Sequence, residues 1–517
     1  MYEVGRDYAM PDYDLAIKTV HGRNILEVLG RLGGEADFKQ IEEGTGLKRD
    51  VLKYYLENEE SDLRKSNVVV KVGEKYRLKH KTTFCWLHGG NIPFTYIGML
   101  GLREDNPEPE PKTFFDLILV EKDGIGSGTL DKESAYVLTT PEAREDWGEE
   151  IESLGIRRDH FIDCSQYEIQ NVESVKGKVL YLLNKDELRD RIVILDCTSL
   201  TKPATIAFYE VARDYYLPLV YVYVKDRKLK WLISKDYVKR RLFLEGKEYG
   251  LYDKVLEGIY KSERIPEDII RILNFLGERC GIASFTEIGE SLGYIRYEKN
   301  TGKRRKEIKK KILAKGEVIK TRLQKLVREG LLEQVGGRMG PYKLKYKTPF
   351  CWINRKIEDV EYAYFGLLGG TKRPGWEVET RTALELLQVE YEIEPAYIMI
   401  LSTSLGYEVW REELKEMREE YKQRKFYYFY CSEEVVDDFN FMREYVDSVI
   451  QHWLERCVVI FDCTGLTKPA TLALYEIART YYAPLIYVFG RQRRLHWLIE
   501  KESVKKRFGS AGWKDAG

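Results

Sequence analysis

Two ten-residue stretches of this chain, DCTSLTKPAT at Asp196–Thr205 and DCTGLTKPAT at Asp462–Thr471, agree at nine positions. Each joins a short apolar run to a helix-like segment, and each gathers one carboxylate, two hydroxyls and one ammonium: Asp196, Thr198, Thr201 and Lys202, then Asp462, Thr464, Thr467 and Lys468. Pro203 and Pro469 suit the first turn of a helix. A helix start offers free N–H groups and a partial positive charge, so hydroxyls and an ammonium placed there favour an anion, with phosphate the natural ligand. A structural account stands beside this: Thr201 caps the helix, Asp196 ends the strand with a hydrogen bond, and Lys202 is solvated. The same four residue types recur in both stretches while flanking positions drift, which favours binding.

Other chemistries find less support. The histidines at 21, 80, 88, 160, 452 and 496 form no HxxxH pair or Cys/His cluster, so no metal site is expected. The eight cysteines contain no CxxC. Six recur as pairs, Cys85 with Cys351, Cys164 with Cys431 and Cys197 with Cys463, and read as small buried side chains. The glycines of DGIGSG (123–128) have no counterpart in the second half and read as a loop, so no dinucleotide cofactor is expected.

The bulk numbers bound the rest. A chain of 517 residues exceeds one hydrophobic core and suggests several domains. Lys plus Arg and Asp plus Glu number 84 each, so local charge islands matter more than the net charge. No run approaches the ~20 apolar residues of a membrane span. The N-terminus MYEVGRDYAMPDYD is acidic where a signal peptide would be basic, and a cytoplasmic protein is expected.

The repeat extends beyond the loops. YRLKHKTTFCWL (76–87) matches YKLKYKTPFCWI (342–353), and FYEVARDYYLPLVYVYV (208–224) matches LYEIARTYYAPLIYVFG (474–490). The chain reads as a tandem duplication of a two-domain unit. At the start of the first unit, helical spacing over 24–60 breaks at Gly33-Gly34 and near Gly46, and VVVKVGEKYRLK (68–79) reads as a hairpin. Three helices and a hairpin form the pattern of a winged helix-turn-helix, with its recognition helix near Lys48–Asn58. Later come apolar runs at 94–100, 135–140, 160–165, 191–196 and 218–224, alternating with amphipathic segments; runs at 362–370, 396–401, 425–431, 457–462 and 484–489 repeat the scheme. That alternation predicts α/β domains with mainly parallel, Rossmann-like sheets. Expected boundaries are 1–80 and 246–346 for the winged helices, 81–245 and 347–517 for the Rossmann-like domains.

With these elements in place, Asp-x-Thr-x-x-x-Lys after the fourth strand, paired with winged helices, resembles the CRISPR-associated Rossmann-fold (CARF) proteins. The resemblance spans nearly the whole chain. It implies a sensor of cyclic oligoadenylate in type III CRISPR antiviral defence, with Asp196, Thr198, Lys202, Asp462, Thr464 and Lys468 around the ligand. It also implies contributions from the loops at Gly101 and Thr139-Thr140, and at Gly370 and Ser402-Thr403. Ser199 stands where the second copy keeps the family-like Gly465, so unequal half-sites are expected. CARF domains usually pair, here within the chain or in a homodimer.

Two outputs follow. The first is a ligand-controlled regulator that binds duplex DNA. The segment 297–316 holds nine Lys/Arg against two Glu, and Lys303, Arg304, Arg305, Lys306, Lys309, Lys310 and Lys311 are the candidate phosphate contacts. The second is a metal-independent ring nuclease, with Lys202 and Lys468 stabilising transition-state charge.

Overall fold

The computed structural model describes residues 11–88, 92–102, 108–120, 128–224, 226–242, 267–293, 317–337, 340–370, 378–489 and 492–509. The basic segment 297–316, with all seven of its candidate contacts, lies outside them. The chain divides into two units, 1–248 and 249–517.

Unit 1 opens with short helices. Val20–Arg31 is capped by Thr19 and buries Ile25, Leu26, Val28 and Leu29 on one stripe. Asp37 and Gln40 form a reciprocal capping box on Phe38–Thr45, which stops at Gly46 in the left-handed region. Arg49–Glu57 follows, burying Leu52 and Leu56. The expected hairpin forms from Val69–Val72 and Lys75–Leu78, and an unexpected third strand, Glu35–Asp37, pairs with Lys75–Leu78. Unit 2 repeats the order with Glu267–Glu278, Ile282–Ala283, Phe285–Ser291, helical residues 317–328, Leu332–Gln334 and Tyr342–Leu344.

The larger part of each unit is a six-stranded sheet. In unit 1 the strands are β1 (Phe94–Met99), β2 (Tyr136–Thr139), β3 (Phe161–Asp163), β4 (Ile192–Asp196), β5 (Leu219–Tyr223) and β6 (Lys228–Ile233), in the order β3-β2-β1-β4-β5-β6. In unit 2 they are β7 (Tyr362–Leu368), β8 (Tyr397–Thr403), β9 (Lys425–Cys431), β10 (Val458–Asp462), β11 (Leu485–Phe489) and β12 (Arg494–Ile499), in the order β9-β8-β7-β10-β11-β12. Both are Rossmann-like sheets, parallel except for the last strand. Strands β1, β2, β4, β7 and β10 are buried along their whole length, as covering on both faces requires. The antiparallel strands β6 and β12 escaped the sequence reading. KLKWLI carries lysine at alternate positions and RLHWLI opens with arginine and then histidine two residues on; such polar starts protect an edge strand but look like loop.

Four helices follow the first and fourth strands of the two sheets. In unit 1 they are α1 (Glu110–Ile118) and α2 (Lys202–Asp214); in unit 2 they are α3 (Glu379–Tyr391) and α4 (Lys468–Tyr481).

Candidate functional site

In each sheet the order reverses between the first and fourth strands, β1 beside β4 and β7 beside β10. Ligands of open α/β sheets bind in the crevice beyond the carboxyl ends of the strands at that switch point. The repeated loops leave β4 and β10 there. Lys202 and Lys468 are the first residues of α2 and α4, both partly exposed.

The other polar residues of the motif work inward. Asp196 is buried, and one of its oxygens accepts the Thr198 backbone N–H at 2.9 Å and the Thr198 hydroxyl. Its second oxygen accepts the Tyr96 hydroxyl at 3.1 Å. Thr198 Oγ1 in turn accepts the Val222 N–H at 2.8 Å, tying the loop to β5. Thr201 Oγ1 donates to the Ile169 carbonyl at 2.5 Å and accepts the Ala204 N–H at 3.3 Å, capping α2. Unit 2 repeats this network: Asp462 takes Thr464 N–H at 2.8 Å, the Thr464 hydroxyl and the Tyr364 hydroxyl at 2.5 Å. Thr464 accepts Val488 N–H at 2.8 Å, and Thr467 donates to Val436 O at 2.5 Å. The carboxylate and hydroxyls thus hold the loop's shape, and the lysines stand at its mouth.

Burial pushes the Asp196 carboxyl from 3.8 up to about 6, against the opposing pull of the Thr198 and Tyr96 hydrogen bonds. Nearby Glu110 pushes in the same direction as burial. Burial also drives the Tyr96 and Tyr364 phenols well above their ordinary range.

Sequence reasoning missed both tyrosines. Their signal was a shared Tyr-x-Gly, YIG in β1 and YFG in β7. Residues two apart on a strand share a face. A Cβ at Gly98 would overlap the Tyr96 hydroxyl, and one at Gly366 would lie 2.6 Å from the Tyr364 ring. Glycine therefore leaves room for the tyrosine to lie along the strand and reach the aspartate. Glu110 was missed as well; it is fully buried and accepts Gly101 N–H at 3.4 Å.

The remaining candidates fall as follows. Gly101 faces the loop, with Ser199 Oγ 3.4 Å from where its Cβ would stand. In unit 2 the glycine against the repeated loop is Gly369, 3.4 Å from Leu466 N by the same measure, whereas Gly370 faces Leu405 after β8. Thr140 caps Pro141–Ser153, and Thr139 donates to its carbonyl at 3.0 Å. Thr403 caps Ser404–Val409, and Ser402 donates to Leu368 O at 3.1 Å.

The two loops differ in backbone. Leu466 adopts φ +60° and is half-buried, while Leu200 is buried with no such turn. At Gly465 a Cβ would overlap the Leu367 carbonyl oxygen, with the carbonyl carbon 2.7 Å away. Ser199 avoids that approach, and its buried hydroxyl has no partner among the described residues.

Of the cysteines, Cys85, Cys164, Cys197, Cys351, Cys457 and Cys463 are buried, Cys431 is half-buried and Cys280 is exposed. No described helix is long and apolar enough to cross a membrane.

No family model matches the chain, and no curated protein does. Solved structures similar to it include Can2 from Sulfobacillus thermosulfidooxidans in complex with cyclic tetra-adenylate, at 17% identity and TM-score 0.21, covering 27% of this chain and 36% of that one. A type III CRISPR defence DNA nuclease activated by cyclic oligoadenylate matches at 13% identity and TM-score 0.36, covering 78% of this chain and 66% of that one. The UDP-GlcNAc 2-epimerase of Methanocaldococcus jannaschii, in complex with UDP-GlcNAc and UDP, matches at 12% identity and TM-score 0.18, covering 81% of this chain and 100% of that one. The chain thus spans about a third of Can2. Likeness at these scores carries no argument for one ligand over another.

Proposed function

We propose that the chain is a cyclic oligoadenylate sensor of type III CRISPR defence, whose CARF domains (81–245, 347–517) control DNA binding by winged helices (1–80, 246–346). The observation that carries the reading is the placement of Lys202 and Lys468. Each opens a helix of 13 or 14 residues beside the switch point of its sheet, where ammonium and helix dipole favour a phosphate.

The far ends of these helices supply a route for coupling. Helix α2 is about 20 Å long at 1.5 Å per residue. Just beyond it, Tyr215 O accepts the Thr83 hydroxyl at 3.0 Å and the Tyr216 hydroxyl donates to Asp14 at 2.5 Å. Ligand at the helix start and the N-terminal helical region thus share one rigid element. In unit 2 the Tyr481 ring at the end of α4 packs on Tyr346, centroids 5.2 Å apart, just after strand Tyr342–Leu344.

Replacing Lys202 and Lys468 together by Ala should remove charge-assisted contacts worth about 1.5–3 kcal/mol each. Calorimetric titration with cyclic oligoadenylates reads the loss; equal affinity of double mutant and wild type rejects the ligand assignment. For the output, neutralising Lys303, Arg304, Arg305 and Lys306 should weaken duplex binding and flatten its salt dependence in a gel-shift titration. Absence of duplex binding by the wild type at low salt, with and without ligand, rejects this arm.

The same lysines support a second reading, metal-independent cleavage of the ring. A ribose 2′-hydroxyl attacks its adjacent phosphorus, the 5′-oxygen leaves with a proton, and a 2′,3′-cyclic phosphate remains. The ammonium and helix dipole would stabilise the added transition-state charge. A linear product formed in chelator supports cleavage; a ring recovered intact after long incubation with excess protein leaves the sensor alone.

A further inference from the structure

The sheet of unit 2 ends on one side at β9, the outermost strand, paired with β8. Consecutive aromatic residues, Phe426–Tyr430, fill it, each half-buried or exposed. Nothing in the proposed sensor chemistry uses this edge.

The backbone of β9 shows which groups the edge offers. Along a parallel ladder, successive residues turn their N–H and C=O groups to opposite sides of the strand. Lys425 donates its N–H to the Ala396 carbonyl at 3.2 Å, on the β8 side. Lys425, Tyr427, Phe429 and Cys431 therefore face inward, and Phe426, Tyr428 and Tyr430 outward. The Tyr430 carbonyl agrees with this phase, accepting the Tyr445 hydroxyl at 2.8 Å from helix Phe439–Leu454. The outward N–H and C=O groups of Phe426 and Tyr428 have no partner among the described residues.

Unit 1 guards the corresponding edge. Strand β3 has three residues, Phe161–Asp163. The Asp163 carboxylate at its end is held by Arg144 at 3.2 Å, and its carbonyl accepts Lys178 Nζ at 2.9 Å. Shortness and charge are common protections against pairing with another chain. Strand β9 has seven residues, one lysine at its first position, and an unbroken register with β8 from Lys425 to Cys431. Its rings are braced, Tyr427 by Trp453 at 4.9 Å and Tyr428 by Tyr407 at 5.8 Å between centroids. A long, ordered, aromatic edge is a template for another strand.

The charges at its ends select that strand. Lys422 and Lys425 stand at the start, and Glu433 and Glu434 just past the end; all four are exposed. None has an ion-pair partner among the described residues. A second β9 laid antiparallel sets each basic end against an acidic one, whereas a parallel one sets like against like. We propose that β9 is a pairing edge for a second copy of this chain, the two strands running antiparallel about a twofold axis at Tyr427. Phe426 and Tyr428 of each copy then exchange N–H···O bonds with Tyr428 and Phe426 of the other, which satisfies every open group. The Tyr427 rings meet across the axis as a cross-strand aromatic pair.

Sedimentation velocity of the full chain at about 0.15 M salt, where diffuse attraction is largely screened, should show reversible self-association at micromolar concentration. Phe426→Pro removes an outward N–H and leaves the ladder to β8 intact; association should weaken roughly tenfold. Unchanged thermal unfolding separates lost pairing from lost fold. Charge reversal reads the orientation and leaves the strand's aromatic residues in place. Glu433→Lys with Glu434→Lys, or Lys422→Glu with Lys425→Glu, should each weaken association several-fold, and an equal mixture of the two variants should restore it. Three results overturn the proposal: a single chain at every concentration up to about 100 μM; association unchanged in Phe426→Pro and in both charge variants, which places the contact elsewhere; or a mixture that associates no better than its parts.

Discussion

The repeated loops of the two units differ at one position in ten, and that position changes the backbone. In unit 2 the chain passes so close to the end of β7 that only a hydrogen fits at Gly465, and the next residue, Leu466, turns through φ +60°. In unit 1 Ser199 carries a Cβ, Leu200 stays buried, and the serine hydroxyl, near Gly101, has no partner among the described residues. The network beneath the difference is shared: the same aspartate, threonine and tyrosine make the same hydrogen bonds in both units. A shared network can therefore support two loop shapes, and side-chain identity at one residue selects between them.

The largest effect that tests this contrast should come from exchanging the two residues. Gly465→Ser forces a side chain against the Leu367 carbonyl and should cost about 3 kcal/mol or more in denaturant unfolding. Ser199→Gly should cost under about 1 kcal/mol. Equal costs would show that the two backbones are interchangeable.

Next in size is the buried carboxyl of unit 1. Its pKa is raised from 3.8 to about 6 in the folded state, so the folded state binds the proton more tightly than the unfolded chain. The resulting stability is fully present below pH 3.8 and is lost as pH rises through 6, up to about 3 kcal/mol. Asp196→Asn should flatten that part of the stability profile between pH 4 and pH 6. A variant profile parallel to the wild type would remove Asp196 as its source.

The tyrosine bridges should matter less, and alike. Tyr96→Phe and Tyr364→Phe each delete one hydrogen bond to a buried carboxyl, worth about 1–3 kcal/mol. A cost confined to one unit would break the equivalence of the networks. Smallest is Ser199→Ala, which removes an unsatisfied hydroxyl and should be neutral or stabilising by under about 1 kcal/mol. Clear destabilisation would mean that this hydroxyl is engaged.

Much of this architecture was legible along the chain. The apolar runs around Ile97, Val137, Ile194 and Val220 mark strands because a parallel sheet buried on both faces needs continuous apolar sequence. The 266-residue repeat marks both loops. The polar starts of β6 (Lys228, Lys230) and β12 (Arg494, His496) hid those strands, because an edge strand is stabilised by its neighbour and wears the composition of a loop. Glu110 was hidden for a different reason: its helix follows nine residues after the glycine it bonds, and no local pattern announces that meeting.

The sequence by itself determined that two like units exist, that each alternates strand and helix, and that each places Asp, Thr, Thr and Lys between its fourth strand and the next helix. These are properties of periodicity and local chemistry, which neighbouring residues set together. Only the tertiary structure decided how those residues divide their work. Asp196 turns inward because Tyr96, 100 positions earlier, arrives across the sheet with its hydroxyl. Thr198 is consumed by a backbone amide 24 positions later. Long-range strand pairing brings those partners to the loop, and it leaves Lys202 and Lys468, the longest side chains of the motif, at its mouth.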